Sequence, residues 1–523
     1  MKKLEFPLLI LLFTTVFLHF GFMKEGFFID EVYTYGLSNS HYAPFISDVK
    51  DLSNGWALYE KDDFRNYLEV TDNRFDFRSV YYNQTHDVHP PMYYWLINIV
   101  SSLFPGSHSK WLGLGLNLLL SLLTIILLFF LSNQLFHRPT SSIIVCGLYA
   151  FSQIGMSTAL LIRMYALLTP LTLLLAILVI RLMDCHYKWY DYAALMLTIF
   201  AGLMTQYYFV FYAFFISLSF LVWCIKKTRI KQLCFFSASS ITGVLLMILA
   251  YPAVLSHLGG GGLVSGNNAL ENILDFKHWL QQGFLYSFYL FKGLHFAVIL
   301  LIGFLSALVI NKKWSSFQDS ITPQMVIVFF PAVIAFLVII IVSPIAAVRY
   351  LYSIIPVLLL IIPFVLSFLS ASSKTSIFDV AGYVGVAITV IASLCIGYFQ
   401  PNYIYPDKSD IRTAILGKYQ HCPCVFITKE VNPCMTEAMP ELELYDNVFL
   451  SKNGLCDEAR AYILESNARD LILYVGTNRF WFEPTDTNLI LQRLLDTGIW
   501  GLPERFPNLV SDLSDVFVLH RLQ

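Results

Sequence analysis

The chain has 523 residues, of which 57% are hydrophobic, 16% aromatic and only 13% charged, with a formal net charge of −2 and a mean hydropathy of +0.62. So few charges do not cover the surface of a water-soluble globule of this size, and the near-neutral balance leaves no electrostatic footprint for nucleic acid. The composition describes an α-helical protein that passes the membrane many times.

In chain order, Met1-Lys2-Lys3 precedes an apolar run over residues 6–22. No small-residue cleavage site follows it and further spans come later, so it reads as a retained anchor rather than a signal peptide. The stretch 23–88 is too charged to lie in lipid. Residues 92–104 are apolar but short and read as a surface or re-entrant helix. Spans then follow at 111–135, 141–161 and 165–182. The run 190–224 is long enough for two, broken at Thr205-Gln206-Tyr207, and 233–255, 284–310, 325–342, 350–369 and 380–399 complete the series. The total is about eleven transmembrane helices at about 20 apolar residues each. Basic residues (Arg138, Arg181, Lys226, Lys227, Lys312, Lys313, Lys374) collect at alternate span ends. This is the positive-inside pattern with a cytoplasmic N-terminus, and it places the first loop and the tail outside.

The chain therefore divides into a membrane domain, 1–399, and a small extracytoplasmic α/β domain, 400–523. The first outer loop, 23–104, carries juxtamembrane helices. In the tail, strand-like runs at 425–428, 471–475 and 516–519 alternate with helix-like ones at 458–466 and 488–497. Cys422, Cys424, Cys434 and Cys456 lie there, and an even number outside the cell implies two disulfides, with three pairings open. A zinc site fits less well, because Cys422-Pro423-Cys424 lacks the usual finger spacing. Gly259-Gly260-Gly261-Gly262 reads as a flexible outer loop, and Asn83-Gln84-Thr85 as a glycosylation sequon in a secretory host.

This topology gathers polar residues on the outer face. Asp30-Glu31 opens the first loop and His89-Pro90-Pro91-Met92-Tyr93-Tyr94-Trp95-Leu96 closes it. Arg163-Met164-Tyr165 and Arg349-Tyr350-Leu351-Tyr352 start later spans. Singly, each has a bland reading. The carboxylates suit a hydrated helix end, the prolines a helix start, the aromatics an interfacial belt, and each arginine a side chain reaching lipid headgroups. Jointly they suit an anionic lipid-linked substrate with a proton acceptor beside it. A lipid or solute transporter or flippase is the competing class. Transporters place ionisable groups near the midplane between internal repeats; here they lie at helix ends and no repeat is visible.

The series Asp-Glu, His-Pro-Pro-x-Tyr-Tyr-Trp-Leu, Arg-x-Tyr and Arg-Tyr-Leu-Tyr-x-x-x-Pro resembles the C-type integral-membrane glycosyltransferases, in the branch of the protein O-mannosyltransferases and the lipid A aminoarabinose transferases. The resemblance implies a polyprenyl-phosphate sugar as donor and a hydroxyl on a glycan, lipid or protein as acceptor. It implies Asp30 as general base supported by Glu31, and it makes Arg163 and Arg349 candidates for the donor phosphate. Tyr165 and Tyr350 lie beside those arginines, and His89 shapes the outer pocket. Asp30, next to Glu31 and near the membrane, is expected to titrate above the ordinary carboxylate range. The implied setting is a bacterial plasma membrane with the site facing outside. Two departures stand out. Protein mannosyltransferases have a further Asp after the Arg163-type arginine, where this chain reads Met164-Tyr165-Ala166-Leu167. Many relatives also have His at Gln206. With no second carboxylate in that turn, neither a catalytic metal nor any other cofactor is expected.

Overall fold

The computed structural model describes residues 2–184, 187–258, 272–370, 376–405, 408–452, 454–477, 485–506 and 513–522. Two compact units result. The first comprises Met1–Gly21, Asp87–Tyr93 and Leu114–Asn402; the second comprises Phe22–His86, Tyr94–Gly113 and Tyr403–Gln523.

The first unit is helical. Among the described residues eight helices are long and apolar enough to cross a membrane, and a ninth span results if the bent pair Pro139–Ala150 and Gln153–Leu160 counts as one. The protein is thus an integral, multi-pass membrane protein. The expected break at Thr205-Gln206-Tyr207 falls between helices Trp189–Leu203 and Phe209–Lys226. Met92–Leu103, only 12 residues long, is too short to cross.

Three spans differ from their expected form. Residues 141–161 do not make one straight helix but bend by 64°, because the Ser152 hydroxyl accepts the Gly155 N–H at 3.0 Å and caps a new helix start. Residues 350–369 break into a 3₁₀ turn, Val348–Leu351, and two short helices, Ile355–Leu358 and Ile361–Leu369. A proline at each start, Pro356 and Pro363, leaves an N–H missing there. The span expected from residue 284 begins earlier, as Phe276–Ile310, and departs from helical geometry at Leu294. Just before that kink, a Cβ on Gly293 would lie 2.4 Å from Ile154 Cγ1, so the close approach of these helices needs glycine. Lys374 and the run at 259–262 lie outside the described residues.

The second unit holds a six-stranded mixed sheet. Its strands are β1 (Trp56–Glu60), β2 (Cys424–Ile427), β3 (Asn447–Ser451), β4 (Asp470–Gly476), β5 (Glu504–Arg505) and β6 (Ser514–His520), in the order β1-β3-β2-β4-β6-β5. β2 pairs in parallel with both β3 and β4, and the outer pairs are antiparallel. Every residue of β2 and β4 is buried, the mark of parallel strands covered on both faces. Val425, Ile427, Leu471, Leu473 and Val475 form the core with Ile463, Ile490 and Leu494 from the flanking helices.

Three of the strands and two of the helices lie where the apolar runs of the tail indicate. β1, β3 and β5 match none of those runs, and β1 comes from the first loop. Trp56 pairs with Ser451 and Glu60 with Asn447, and the Trp56 ring stacks on Phe449 at 5.4 Å.

Two expectations fail here. Cys422, Cys424, Cys434 and Cys456 are all free thiols rather than two disulfides. Each serves its own element: Cys424 is buried in β2, Cys456 Sγ accepts the Ala459 N–H as a helix cap, and Cys434 lies near the Leu513 carbonyl. Asn83 is fully buried, and its amide donates to the Leu37 and Ser40 carbonyls at 3.2 and 3.1 Å, so the sequon is closed to glycosylation.

Candidate active site

The predicted residues fall in both units. Asp30 and Glu31 belong to the unit with the sheet. They occupy the first turn of helix Ile29–Asn39, where unpaired N–H groups and the helix dipole favour carboxylates. Asp30 is half-buried, and its carbonyl accepts the Thr34 hydroxyl at 2.8 Å.

Glu31 is fully buried and committed to structure. Its Oε2 accepts the Phe28 N–H at 2.7 Å and the Lys24 ammonium at 2.9 Å. Lys24, also fully buried, donates in addition to the Tyr403 carbonyl at 2.6 Å. Burial pushes the Lys24 ammonium below its usual range and outweighs the attraction of Glu31. The sequence reading missed Lys24, although a lysine immediately after the first span is visible in it. Because Lys24 compensates Glu31, the like charge invoked for Asp30 is not an isolated one.

His89, Arg163, Tyr165, Arg349 and Tyr350 belong to the membrane unit, and there the structure does bring motifs together. Asn117 sets the Arg163 turn. Its Nδ2 donates to the Ala159 and Leu161 carbonyls at 3.0 and 2.7 Å, and its Oδ1 accepts the Tyr93 hydroxyl at 2.7 Å. Tyr93, from the aromatic run after the two prolines, thus ties that segment to the turn before Arg163. The Arg163 side chain ends up buried at 5% exposure.

The Arg349 turn joins the same unit through rings. Tyr352 meets Tyr165 edge-on at 5.9 Å, and Tyr350 meets Tyr208 at 5.3 Å. The Arg349 guanidinium lies over the Tyr350 ring, 5.4 Å from its centroid. Gln206 accepts the Tyr207 N–H at 2.7 Å, and the Tyr207 hydroxyl meets His257 Nδ1 at 2.9 Å.

Another missed residue is Asp87, two places before His89. Its Oδ2 lies 2.8 Å from His89 Nδ1, and both side chains are largely buried. Burial pushes the Asp87 carboxyl upward, but the His89 ring, the Arg163 charge and the Val88 N–H together hold it below the usual range. Burial, and to a lesser extent the charge of Asp87, pushes the Tyr207 hydroxyl up. Asp87 thus brings a negative charge to bear on Arg163 from another part of the chain. Among the described residues no three His, Cys, Asp or Glu side chains converge as a metal site.

Residues 88–255 match the profile of the dolichyl-phosphate-mannose-protein mannosyltransferase family. The matched stretch contains His89, Arg163 and Tyr165. No curated protein matches the chain. Among solved structures, ArnT from Cupriavidus metallidurans bound to undecaprenyl phosphate is similar over 97% of both chains, with 12% identity and a TM-score of 0.49. The archaeal oligosaccharyltransferase AglB from Archaeoglobus fulgidus, in complex with an inhibitory peptide and a dolichol-phosphate, is similar over 74% of this chain and 61% of its own, with 10% identity and a TM-score of 0.38. These scores are too low to carry an assignment, which rests on the profile match and the motifs. Together with the motif series, that match bears out the resemblance to the C-type integral-membrane glycosyltransferases, in the branch of the protein O-mannosyltransferases, and with it the enzyme class: a glycosyltransferase.

Proposed function

We propose that the protein transfers a sugar from a polyprenyl-phosphate donor to a hydroxyl of a glycan, lipid or protein acceptor on the extracytoplasmic face of the membrane. The observation that carries this reading is the profile match over residues 88–255, which spans His89 to Tyr93 and the buried Arg163. A buried guanidinium is well suited to a phosphate ester, whose oxygens its planar fork binds in pairs.

Chemically, the acceptor hydroxyl is a weak nucleophile and must lose its proton as it attacks the anomeric carbon. Asp30 takes that proton while the new carbon–oxygen bond forms. The bond from the anomeric carbon to the phosphate oxygen breaks, and its electron pair leaves on the lipid phosphate, where Arg163 or Arg349 stabilises it. Attack opposite the leaving phosphate inverts the anomeric centre. A base of this type contributes roughly 10²–10⁴-fold in rate.

In the same reading residues 1–399 carry the transferase and 400–523 form an extracytoplasmic domain of a bacterial plasma-membrane protein. The pairing of β1 with β3 supports the sidedness. A strand pair does not straddle a bilayer, so the first loop and the tail lie on one side, and an even number of crossings separates them. About eleven spans satisfies that parity if the 15-residue helix Trp189–Leu203 and the apolar stretch Ile355–Leu369 both cross. The eight longest helices alone do not.

The test uses the donor that accumulates in a deletion strain, identified by mass spectrometry of its lipid extract. Asp30→Asn should bind that lipid normally and transfer no sugar, a loss of at least about 10²-fold. Transfer at the wild-type rate by the purified variant refutes the base assignment.

A further inference from the structure

The Asp87–His89 pair is not accounted for by a general base at Asp30, nor by arginines that bind phosphate unaided. Asp87 is a carboxylate carried into the membrane unit beside a cation. Such a group is costly to desolvate and persists where it orients something.

What it touches is specific. Asp87 Oδ2 meets His89 Nδ1 at 2.8 Å. A carboxylate there accepts the Nδ1–H and fixes the plane of the imidazole; with a phosphate as ligand the ring carries hydrogen on both nitrogens, and Nε2–H is the edge donated to it. Among the described residues Nε2 has no hydrogen-bond partner, while 18% of the His89 side chain remains exposed. The charged and titratable groups around the pair are Arg163, which acts on the Asp87 carboxylate, and Tyr207, which feels the Asp87 charge and is bonded to His257. Pro90 and Pro91 follow directly and stiffen the backbone that carries His89.

We infer that Asp87 is a positioning residue that orients His89 through Nδ1, so that His89 Nε2 and the Arg163 guanidinium bind one anionic group, the phosphate of a polyprenyl-phosphate lipid. This rests on the reading of Arg163 as a donor-phosphate ligand and extends it. The subsite takes a phosphate ester, and the histidine edge adds a directed hydrogen bond to the charge of the arginine. Asp87 does not touch the lipid; it acts through the ring.

The test measures binding of undecaprenyl phosphate to the full-length protein in phosphatidylcholine nanodiscs, for His89→Ala, Asp87→Asn, Arg163→Ala and the double variants. His89→Ala should weaken binding about tenfold, the usual scale of one hydrogen bond to a charged group. Asp87→Asn should weaken it severalfold in the wild-type background and not at all in the His89→Ala background, because its effect passes through the ring. An equal loss from Asp87→Asn in both backgrounds refutes the inference and leaves Asp87 a structural residue. If His89→Ala proves unstable, His89→Gln asks the same question with a side chain of similar length. Displacement of undecaprenyl phosphate by an equal mole fraction of phosphatidylglycerol also overturns the assignment, because it marks a site for any lipid phosphate. Should Arg163→Ala alone weaken binding, the donor-phosphate reading stands and the Asp87–His89 inference falls. Should none of the variants weaken it, both fall.

Discussion

Asp30 and Glu31 are neighbours in sequence with opposite duties. Asp30 lies half-buried in the first helical turn, whereas Glu31 is sealed with Lys24 in an ion pair of 2.9 Å from which water is excluded. Removing one member of such a pair leaves an uncompensated buried charge, which costs about 3–5 kcal/mol. Glu31→Ala should therefore lower the thermal unfolding midpoint of the detergent-solubilised protein sharply. The apolar pair Lys24→Met with Glu31→Leu should recover most of that loss, since no charge remains to desolvate. Asp30→Asn keeps the side-chain volume at a half-buried position where the helix dipole is worth about 0.3–1 kcal/mol, and it should unfold closer to the wild-type temperature than Glu31→Ala. If Glu31→Ala unfolds like the wild type, the buried pair contributes nothing to the fold.

Between elements, the turn that carries Arg163 is held by an amide rather than by the arginine itself. Asn117, fully buried in helix Lys110–Phe136, bonds two carbonyls of the preceding segment and the Tyr93 hydroxyl. Asn117→Leu keeps the volume but orphans those groups, at a cost of about 1–3 kcal/mol. It should also weaken undecaprenyl phosphate binding in the direction of Arg163→Ala. Wild-type affinity in Asn117→Leu means that the turn holds its shape without the amide. Arg163→Lys should restore only part of what Arg163→Ala loses, because lysine lacks the planar fork. The same comparison at Arg349, with donor and acceptor affinities measured separately, shows which arginine serves the phosphate.

At the scale of the molecule, every proposed role depends on sidedness. The sheet joins residues 56–60 of the first loop to residues 447–451 of the tail, so both must be translocated or neither. In an otherwise cysteine-free protein, Cys introduced at the exposed Glu458 should react with a membrane-impermeant maleimide in intact cells. Cys at the exposed Ser315, beside Lys312 and Lys313, should react only once the membrane is opened. The reverse pattern inverts the topology and removes the outer active site. The native tail thiols offer a further check. Denatured without reductant, Cys422, Cys424, Cys434 and Cys456 should all take up maleimide, as four free cysteines require.

Sequence alone determined the membrane class, the approximate positions of the long spans, the break at Thr205-Gln206-Tyr207 and the order of the motifs, because these follow from local hydrophobic length and turn chemistry. It also located β2, β4 and β6, whose apolar runs are short and sharply bounded. Tertiary structure decided what depends on residues far apart in the chain. Lys24 finds the Tyr403 carbonyl across 379 positions, and the charge of Arg163 acts on Asp87, a carboxylate from a distant part of the chain. β1 shows why such partners stay hidden. Its five residues, Trp-Ala-Leu-Tyr-Glu, lie in a charged loop and carry no apolar signal as strong as a span. They become a strand only because β3 offers an edge and Phe449 a ring for Trp56 to stack on. Asn83 and the tail cysteines follow the same rule: their spacing advertises modification and crosslinking, whereas Asn83 is buried and the four cysteines are free thiols, Cys424 and Cys434 of them buried.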